Sequence, residues 1–484
     1  MLQLQRRRCR RGCPPPGRSL RRRRAARDRN WLLWTETVEF LAAGKREPMT
    51  DLKDSASFLA DAAAPQSVWL RLKTLTVSRL GPGLVTGAAD DDPSGIATYS
   101  QVGAQFGYAF AWTMLFSFPL MAVIQAVSAR IGCVTGRGIA RNLRLHYSPW
   151  LLRWVILLLL VANVINLGAD LGAMAAALGL LVGGPELLYT ALFAVVCVLL
   201  ETFMSYARYA AVLKWATISL FAYVAVAFAA HVDWPAALSA TLVPRIAFDG
   251  DHATALIAVL GTTISPYLFF WQAGQEVEEL HRRHVKALRI SPRDASPELS
   301  RIRTDTFVGM GFSNLIALFI IFATAATLHA NGVTDIQTSS QAAEALRPIA
   351  GPFTFALFAT GIIATGMLAV PVLAGSAAYG VSELFGWPEG LDHRPREAKA
   401  FYSIIAAATL GGVALNFTAL DPVKALYWSA VVNGVLAAPL MAVMMVVAMN
   451  PRIMGRLTLP RPMLVIGWVA TAVMSVASIG FFIL

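Results

Sequence analysis

Charge is scarce in this sequence. Asp, Glu, Lys and Arg make up 14% of its 484 residues, against roughly 25% in an average soluble domain, so a typical soluble enzyme is excluded. Cysteine is scarcer still: Cys133 and Cys197 fall at or within apolar runs, and Cys9 and Cys13 lie in the N-terminal tail. Four thiols placed like that make no disulfide framework and are expected to stay reduced. Cys9 and Cys13 have the look of half a zinc site, but no second Cys/His pair lies nearby to complete a tetrahedron. HExxH, GxSxG and P-loop patterns are also missing, which leaves no motif for a zinc protease, a serine hydrolase or an ATP-driven pump.

What is abundant is apolar surface. The chain is 56% hydrophobic with a mean hydropathy of +0.57, the composition of a polytopic membrane protein solvated by lipid. Its net charge of +12 is concentrated at one end: residues 1–48 carry 14 Lys/Arg against 4 Asp/Glu, which leaves the rest at +2. With no aromatic platform or binding motif beside the arginines, nucleic-acid binding is not expected. Residues 1–78 are read as a basic, mostly disordered tail, with Met49 an alternative start, and residues 79–484 as the membrane domain. Glu36 and Glu39 interrupt the run from Trp31 to Ala43, so a signal peptide is not expected either.

Apolar runs of about 20 residues fall at 79–104, 107–132, 150–181, 186–206, 210–231, 252–280, 305–329, 351–384, 400–418, 424–449 and 462–484. Loop charge tests these eleven spans independently, because cytoplasmic loops are enriched in Lys and Arg. With the N-terminus inside, inner loops and their flanks hold 20 basic residues, seven of them between Arg282 and Arg303; the outer loops hold Arg245, Arg347 and Lys424. That asymmetry places the N-terminus in the cytoplasm and the C-terminus outside.

Two spans are chemically odd. The first contains Gly81, Pro82 and Gly83, then Asp90, Asp91, Asp92, Pro93, Ser94 and Gly95; each carboxylate at mid-membrane costs about 2.5 to 3.5 kcal/mol on insertion scales. The sixth contains Thr262, Thr263, Ile264, Ser265, Pro266 and Tyr267, where proline removes a backbone donor. Both helices are expected to break there, which a bilayer tolerates only where the freed carbonyls line a cavity or meet protein. The two broken spans are five apart, an odd number, so a second five-helix unit would be inverted relative to the first. That is the logic of secondary transporters, with the site at the midplane and here an eleventh helix appended.

Asp92, beside unwound carbonyls and followed by proline and small residues, is the best-placed anionic ligand for a hard cation. Asp90 is expected to line a wet vestibule, while Asp91 reads equally as a vestibule residue or as part of the site. Ser265 and Pro266 read either as a site or as a plain kink with the hydroxyl on a local carbonyl. Asp170, in the third span, is expected to face the bundle interior as a proton relay or structural ion pair. Glu276, Glu278 and Glu279 precede Arg282 and Arg283 and read as a solvated helix end with i,i+4 pairs. His281 and His284 read as loop residues rather than metal ligands.

The stretch GPGLVTGAADDDPSGIATYSQVGAQFGYAFAW and the downstream SARIGCVTGRGIA (Ser128 to Ala140) resemble the NRAMP family of divalent-metal transporters, from about Leu80 to the C-terminus. The resemblance implies a LeuT-like 5+5 inverted repeat. Residue by residue, Asp92 matches the family's metal-binding aspartate and Pro93 its proline, while Ser94 replaces a glycine and Gly95 an asparagine ligand. Thr262 keeps a backbone carbonyl ligand, Ser265 replaces the methionine, Tyr267 a histidine, and Gln272 a second histidine. Asp170 matches a proton-transfer aspartate, and Ala173 stands where the family has a glutamate.

The resulting expectation is an all-α polytopic membrane protein that imports divalent cations across the plasma membrane by alternating access and is not an enzyme. Its metal site is Asp92, the Thr262 carbonyl and Ser265, supported by the backbone around Pro93, Gly95, Pro266 and Tyr267, with Asp170 the one relay candidate. Loss of the thioether favours Mg²⁺ or Mn²⁺ over softer ions, as in the family's magnesium-transporting branch. No cofactor is expected; the partners are the ion and the lipid bilayer. The rival readings are an organic-substrate symporter of the same fold, which the aspartate run disfavours by repelling a carboxylate, and a metal sensor that binds without turnover.

Overall fold

The computed structural model describes residues 82–203, 220–230, 232–417 and 421–484. The tail with Met49, Cys9 and Cys13, and the inner-loop residues Arg208 and Lys214, lie outside them. The described residues form helices joined by turns, with no strand among them. In chain order the main helices are α1 (Pro82–Asp90), α2 (Pro93–Phe106), α3 (Ala111–Thr135), α4 (Ile139–His146), α5 (Pro149–Val182), α6 (Glu186–Phe203), α7 (Phe221–Ala229) and α8 (Trp234–Leu242). They continue with α9 (Gly250–Thr263), α10 (Pro266–Arg282), α11 (Ala295–Thr327), α12 (Ser339–Glu344), α13 (Thr354–Phe385), α14 (Lys399–Leu415), α15 (Pro422–Met449) and α16 (Arg461–Ile483).

Half of the expected span 210–231 lies outside the described residues, which hold only α7 of it; the other expected spans correspond to these helices, and the two odd ones are each divided: the first into α1 and α2, the sixth into α9 and α10. Eight helical stretches among the described residues are long and apolar enough to cross a membrane, α14 being a shorter apolar helix. The long run at 351–384 is one helix, α13, with Pro371 inside it.

Helix starts are written in the sequence as a capping residue followed by proline. Ser148 caps α5 ahead of Pro149, Asp421 caps α15 ahead of Pro422, and Asp92 caps α2 ahead of Pro93. A side-chain oxygen there satisfies an orphan N–H, and proline at the first helical position has no N–H to lose. The outer face of α6 exposes Leu188, Leu192, Val195 and Leu199, side chains that would be costly in water and suit lipid.

Close helix contacts are made through glycine. A Cβ on Gly132 of α3 would lie 2.3 Å from the Ala273 carbonyl oxygen of α10, and one on Gly87 of α1 would lie 2.4 Å from the Gly309 backbone of α11. No side chain fits at either position. Beside the second seam the Gly83 amide donates to Asp305 Oδ2 at 2.7 Å, so α1 is seated against α11 by shape and by a capping hydrogen bond.

The end of α10 departs from expectation. Arg282 pairs with Glu279 at 2.7 Å, but Glu276 and Glu278 are buried rather than solvated. Glu276 meets Arg301 of α11 at 2.5 Å, and Arg301 also holds Glu298 at 3.0 Å. Glu278 accepts from Tyr379 of α13 and from the Leu391 amide. His281 and His284 are exposed, and Cys133 and Cys197 are buried free thiols.

Candidate metal site

The two helix breaks meet. Gly95, in the first turn of α2, faces the sixth-span break: a Cβ there would lie 3.2 Å from Thr262 Oγ1, 3.3 Å from the Asp90 carbonyl oxygen and 3.4 Å from Asp92 Oδ1. A carboxylate, an unwound carbonyl and a hydroxyl thus surround the space that a side chain at position 95 would enter. This is the mixture of oxygens that hard divalent cations select.

Asp92 is buried and holds the centre. Its Oδ1 accepts from the Gly95 amide at 2.7 Å, the N-cap bond of α2. Its Oδ2 accepts from Asn166 Nδ2 of α5 at 3.1 Å and from the Tyr267 hydroxyl at 3.2 Å. Tyr267 OH stands equally far, 3.2 Å, from the Ala89 carbonyl oxygen. A phenol has one proton, so it can move its bond from Asp92 to Ala89 without losing an acceptor. Tyr267, at the position where the resemblance places a histidine, therefore ties α10 across the first break.

Ser265 is less open than its position suggests. Its hydroxyl lies 2.7 Å from the Thr262 carbonyl oxygen and 3.1 Å from that of Gly261. It satisfies carbonyls freed by Pro266, the local kink arrangement, and so engages the carbonyl that was expected to face the ion. Pro93 and Pro266 each start a helix at its first turn, and Ser376 of α13 donates to the Tyr267 carbonyl oxygen at 2.8 Å, fixing the start of α10.

Asp170 is fully buried on α5, one helical turn from Asn166. The Ser94 amide and Asp92 act on it electrostatically, yet neither oxygen completes a hydrogen bond among the described residues. The interior position expected of it is the one observed. Ala173, a turn further on, is buried and carries no acid.

Asp90 and Asp91 do not line a wet vestibule. They are 0% and 3% exposed, and both approach the Ser313 hydroxyl of α11, at 2.9 and 3.0 Å. The wet reading fails because α11, more than 200 residues away in sequence, closes over that side. Gln272 is turned from the site too, accepting from Thr86 and donating to Glu276 at 3.3 Å.

Two contributors were not singled out from sequence: Asn166 and Ser313. Asn163 and Asn166 were visible as amides in an otherwise apolar run, a signal that polar side chains there face the bundle interior. Nothing near Ser313 in sequence marks it.

Beyond the centre, a narrow cavity lined by Ile96, Ala97, Ser100, Ala173, Phe358 and Ile362, among others, has space for about one water. The α1–α11 seam packs beside Asp90 and Asp91, which Ser313 of α11 engages. Asp92 itself is 2% exposed, so the centre is closed to solvent in this structure.

The comparisons with known proteins agree with this architecture. The family described as natural resistance-associated macrophage protein-like, Nramp, matches residues 83–484. A divalent metal cation transporter, MntH, of Klebsiella pneumoniae strain 342 is 27% identical over 412 residues, 83% of this chain and 92% of that protein. The Deinococcus radiodurans protein of the same name is 28% identical over 403 residues, 81% of this chain and 87% of the relative. Among solved structures, the Eremococcus coleocola manganese transporter superposes with a TM-score of 0.66 at 17% identity, covering 86% of this chain and 87% of that one. Mhp1, a nucleobase-cation-symport-1 family transporter, in a closed conformation gives 0.51 at 14% identity, covering 83% and 92%. The fold is that of these inverted-repeat transporters, and with the family match running from α1 to the last residue, this multi-pass membrane protein belongs to the Nramp family.

Proposed function

We propose that the chain imports divalent cations, Mg²⁺ or Mn²⁺, across the plasma membrane by alternating access. The observation that carries this reading is the junction of the two breaks: a buried Asp92, the Asp90 carbonyl and the Thr262 hydroxyl gathered around Gly95, with no basic side chain among the described residues hydrogen-bonded to Asp92. A carboxylate held in the membrane by neutral donors alone is a ready partner for a cation. The curated relatives named as divalent metal cation transporters support the substrate class.

In this reading Asp92 supplies the charge and Thr262 a neutral oxygen, from its hydroxyl and from its carbonyl once Ser265 yields it. Ser265 itself contributes a weak or water-mediated oxygen. The site has fewer protein ligands than the family motif implies, which suits a hard ion that keeps part of its water shell. No resident cofactor takes part, and the metal is cargo. Loop charge supports a cytoplasmic N-terminus and an external C-terminus.

The test is uptake of Mg²⁺, Mn²⁺ and Ca²⁺ by liposomes carrying the full chain, with internal pH recorded. Saturable entry of Mg²⁺ or Mn²⁺ is expected. Binding without flux would instead make the protein a sensor, and flux of an organic anion would reverse the substrate class.

A further inference from the structure

Asn166 has a half that the structure does not use. Its Nδ2 donates to Asp92 Oδ2 at 3.1 Å, which settles which way the amide points, since a carboxylate accepts and cannot donate. Its Oδ1 is then an acceptor, fully buried, with no hydrogen-bond partner among the described residues. Leaving a buried amide oxygen unpaired is unfavourable, because its desolvation is not offset by a hydrogen bond. Both amide atoms hang from one carbon, so this oxygen cannot lie far from the carboxylate.

The neighbourhood explains what such an oxygen is for. Among the described residues, those acting on Asp92 are Asn166, Tyr267, Gly95 and Ser94 as donors and Asp90, Asp91 and Asp170 as further acids. None is a cation. Among the described residues this acceptor has no donor and the carboxylate beside it has no basic partner, a set of oxygens that suits a positive ion. At Gly95, where an asparagine would project toward Thr262 Oγ1 and Asp92 Oδ1, this chain has no side chain at all.

We propose that Asn166 is a direct ligand of the transported ion, its Oδ1 giving from α5 the amide oxygen that position 95 of α2 lacks. The inference rests on the reading that the Asp92 site carries a divalent cation. It also makes α5 part of the ion's shell. An ion then touches α2, α5 and the α9–α10 break at once, so that leaving it requires one of the three to move.

The rival explanation is that Asn166 only orients Asp92, and two substitutions in the full-length protein separate them. Positioning alone predicts that Asn166→Asp weakens every ion, because a second carboxylate cannot donate to Asp92 and repels it. A ligand role predicts the opposite sign, a lower apparent KM for Mg²⁺ and Mn²⁺, because the new charge faces the cation. Asn166→Cys offers a soft atom in place of a hard one, so competition uptake should move the Cd²⁺ to Mg²⁺ preference by about tenfold toward Cd²⁺. A positioning role would weaken both ions by one factor and leave the ratio alone.

Metal-dependent thermal shifts of the detergent-solubilised variants read the same ratio without transport, so a variant slow to cycle still reports on binding. Wild-type uptake with a higher KM in Asn166→Asp and an unchanged ratio in Asn166→Cys would overturn the role of Asn166 alone. A wild type that neither moves nor binds a divalent ion would overturn the site as a whole.

Discussion

Asp92→Asn removes one negative charge from the junction of α1 and α2 and leaves the shape of the side chain almost unchanged. The surrounding bonds can survive it. The new amide oxygen can keep the N-cap bond from the Gly95 amide, now 2.7 Å long. The new NH₂ group then meets Asn166 Nδ2 and the Tyr267 hydroxyl where an acceptor stood. Both conflicts have an exit. Asn166 can turn its amide to present the oxygen that has no partner, and Tyr267 can donate to the Ala89 carbonyl, already at 3.2 Å. The variant should therefore insert and fold.

Its effect on the ion is large. Removing one member of a buried charge pair costs about 3 to 5 kcal/mol, and each 1.4 kcal/mol is a factor of ten in affinity, so binding should weaken by roughly two to three and a half orders of magnitude. Uptake of Mg²⁺ or Mn²⁺ into liposomes, at ion concentrations spanning the wild-type KM, should show no saturation in the variant. Asp90→Asn is the matched control, since that side chain is engaged by Ser313 of α11 rather than by Asn166 or Tyr267 and should lose far less. Normal uptake by Asp92→Asn, or equal losses at both positions, would refute the assignment of Asp92 as the charged ligand.

Other expectations follow from the same geometry. With Tyr267 and Ala173 where the family resemblance places a histidine and a glutamate, metal entry should acidify the liposome lumen weakly or not at all; uphill uptake driven by a pH gradient and untouched by Asp170→Asn would contradict both the uncoupled mechanism and the relay role of Asp170. Ser265→Met should raise Cd²⁺ or Mn²⁺ relative to Mg²⁺ in paired-ion competition, and the double variant with Gly95→Asn should move it further; an unchanged ion order at comparable rates would place neither residue at the ion. Arg301→Met leaves Glu276 buried without its partner and should destabilise the detergent-solubilised protein by about 3 to 5 kcal/mol, read as a lower thermal midpoint that Glu276→Gln in the same chain partly restores.

The parts of this architecture that are local in sequence were legible, and those made by distant packing were not. The breaks could be placed because their causes are adjacent: Asp92 caps ahead of Pro93, and Ser265 precedes Pro266. The burial of Asp170 followed from the cost of a carboxylate in lipid. The burial of Asp90 and Asp91 is not legible locally, because their partner, Ser313, comes from α11. Glu276 and Glu278 were assigned to solvent for the same kind of reason: Arg301 and Tyr379 reach them from other helices. Asn166 was visible as an amide in an apolar run, but which atom it would present to Asp92 depends on how α5 packs against α2.

The serine at position 265 gains a different meaning from its hydrogen bonds. A hydroxyl in place of a thioether reads, by type alone, as a hard ligand added for a hard ion. Its contacts with the Thr262 and Gly261 carbonyls direct that hydroxyl into the kink instead, so the hardness of the site comes chiefly from what was removed. With no thioether at 265 and no amide at 95, the proposed site keeps as its protein oxygens the Asp92 carboxylate, the Asp90 carbonyl and Thr262, to which the proposed ligand Asn166 adds an amide from α5. Water must complete the shell of any divalent ion held there. An ion that sheds water reluctantly loses least in such a site, while a softer ion, which gains most from sulfur, finds none. On the proposed function, selectivity for Mg²⁺ or Mn²⁺ needs no pocket cut to the ion's size, only the absence of soft ligands and room for part of the hydration shell to enter once α1 or α2 moves.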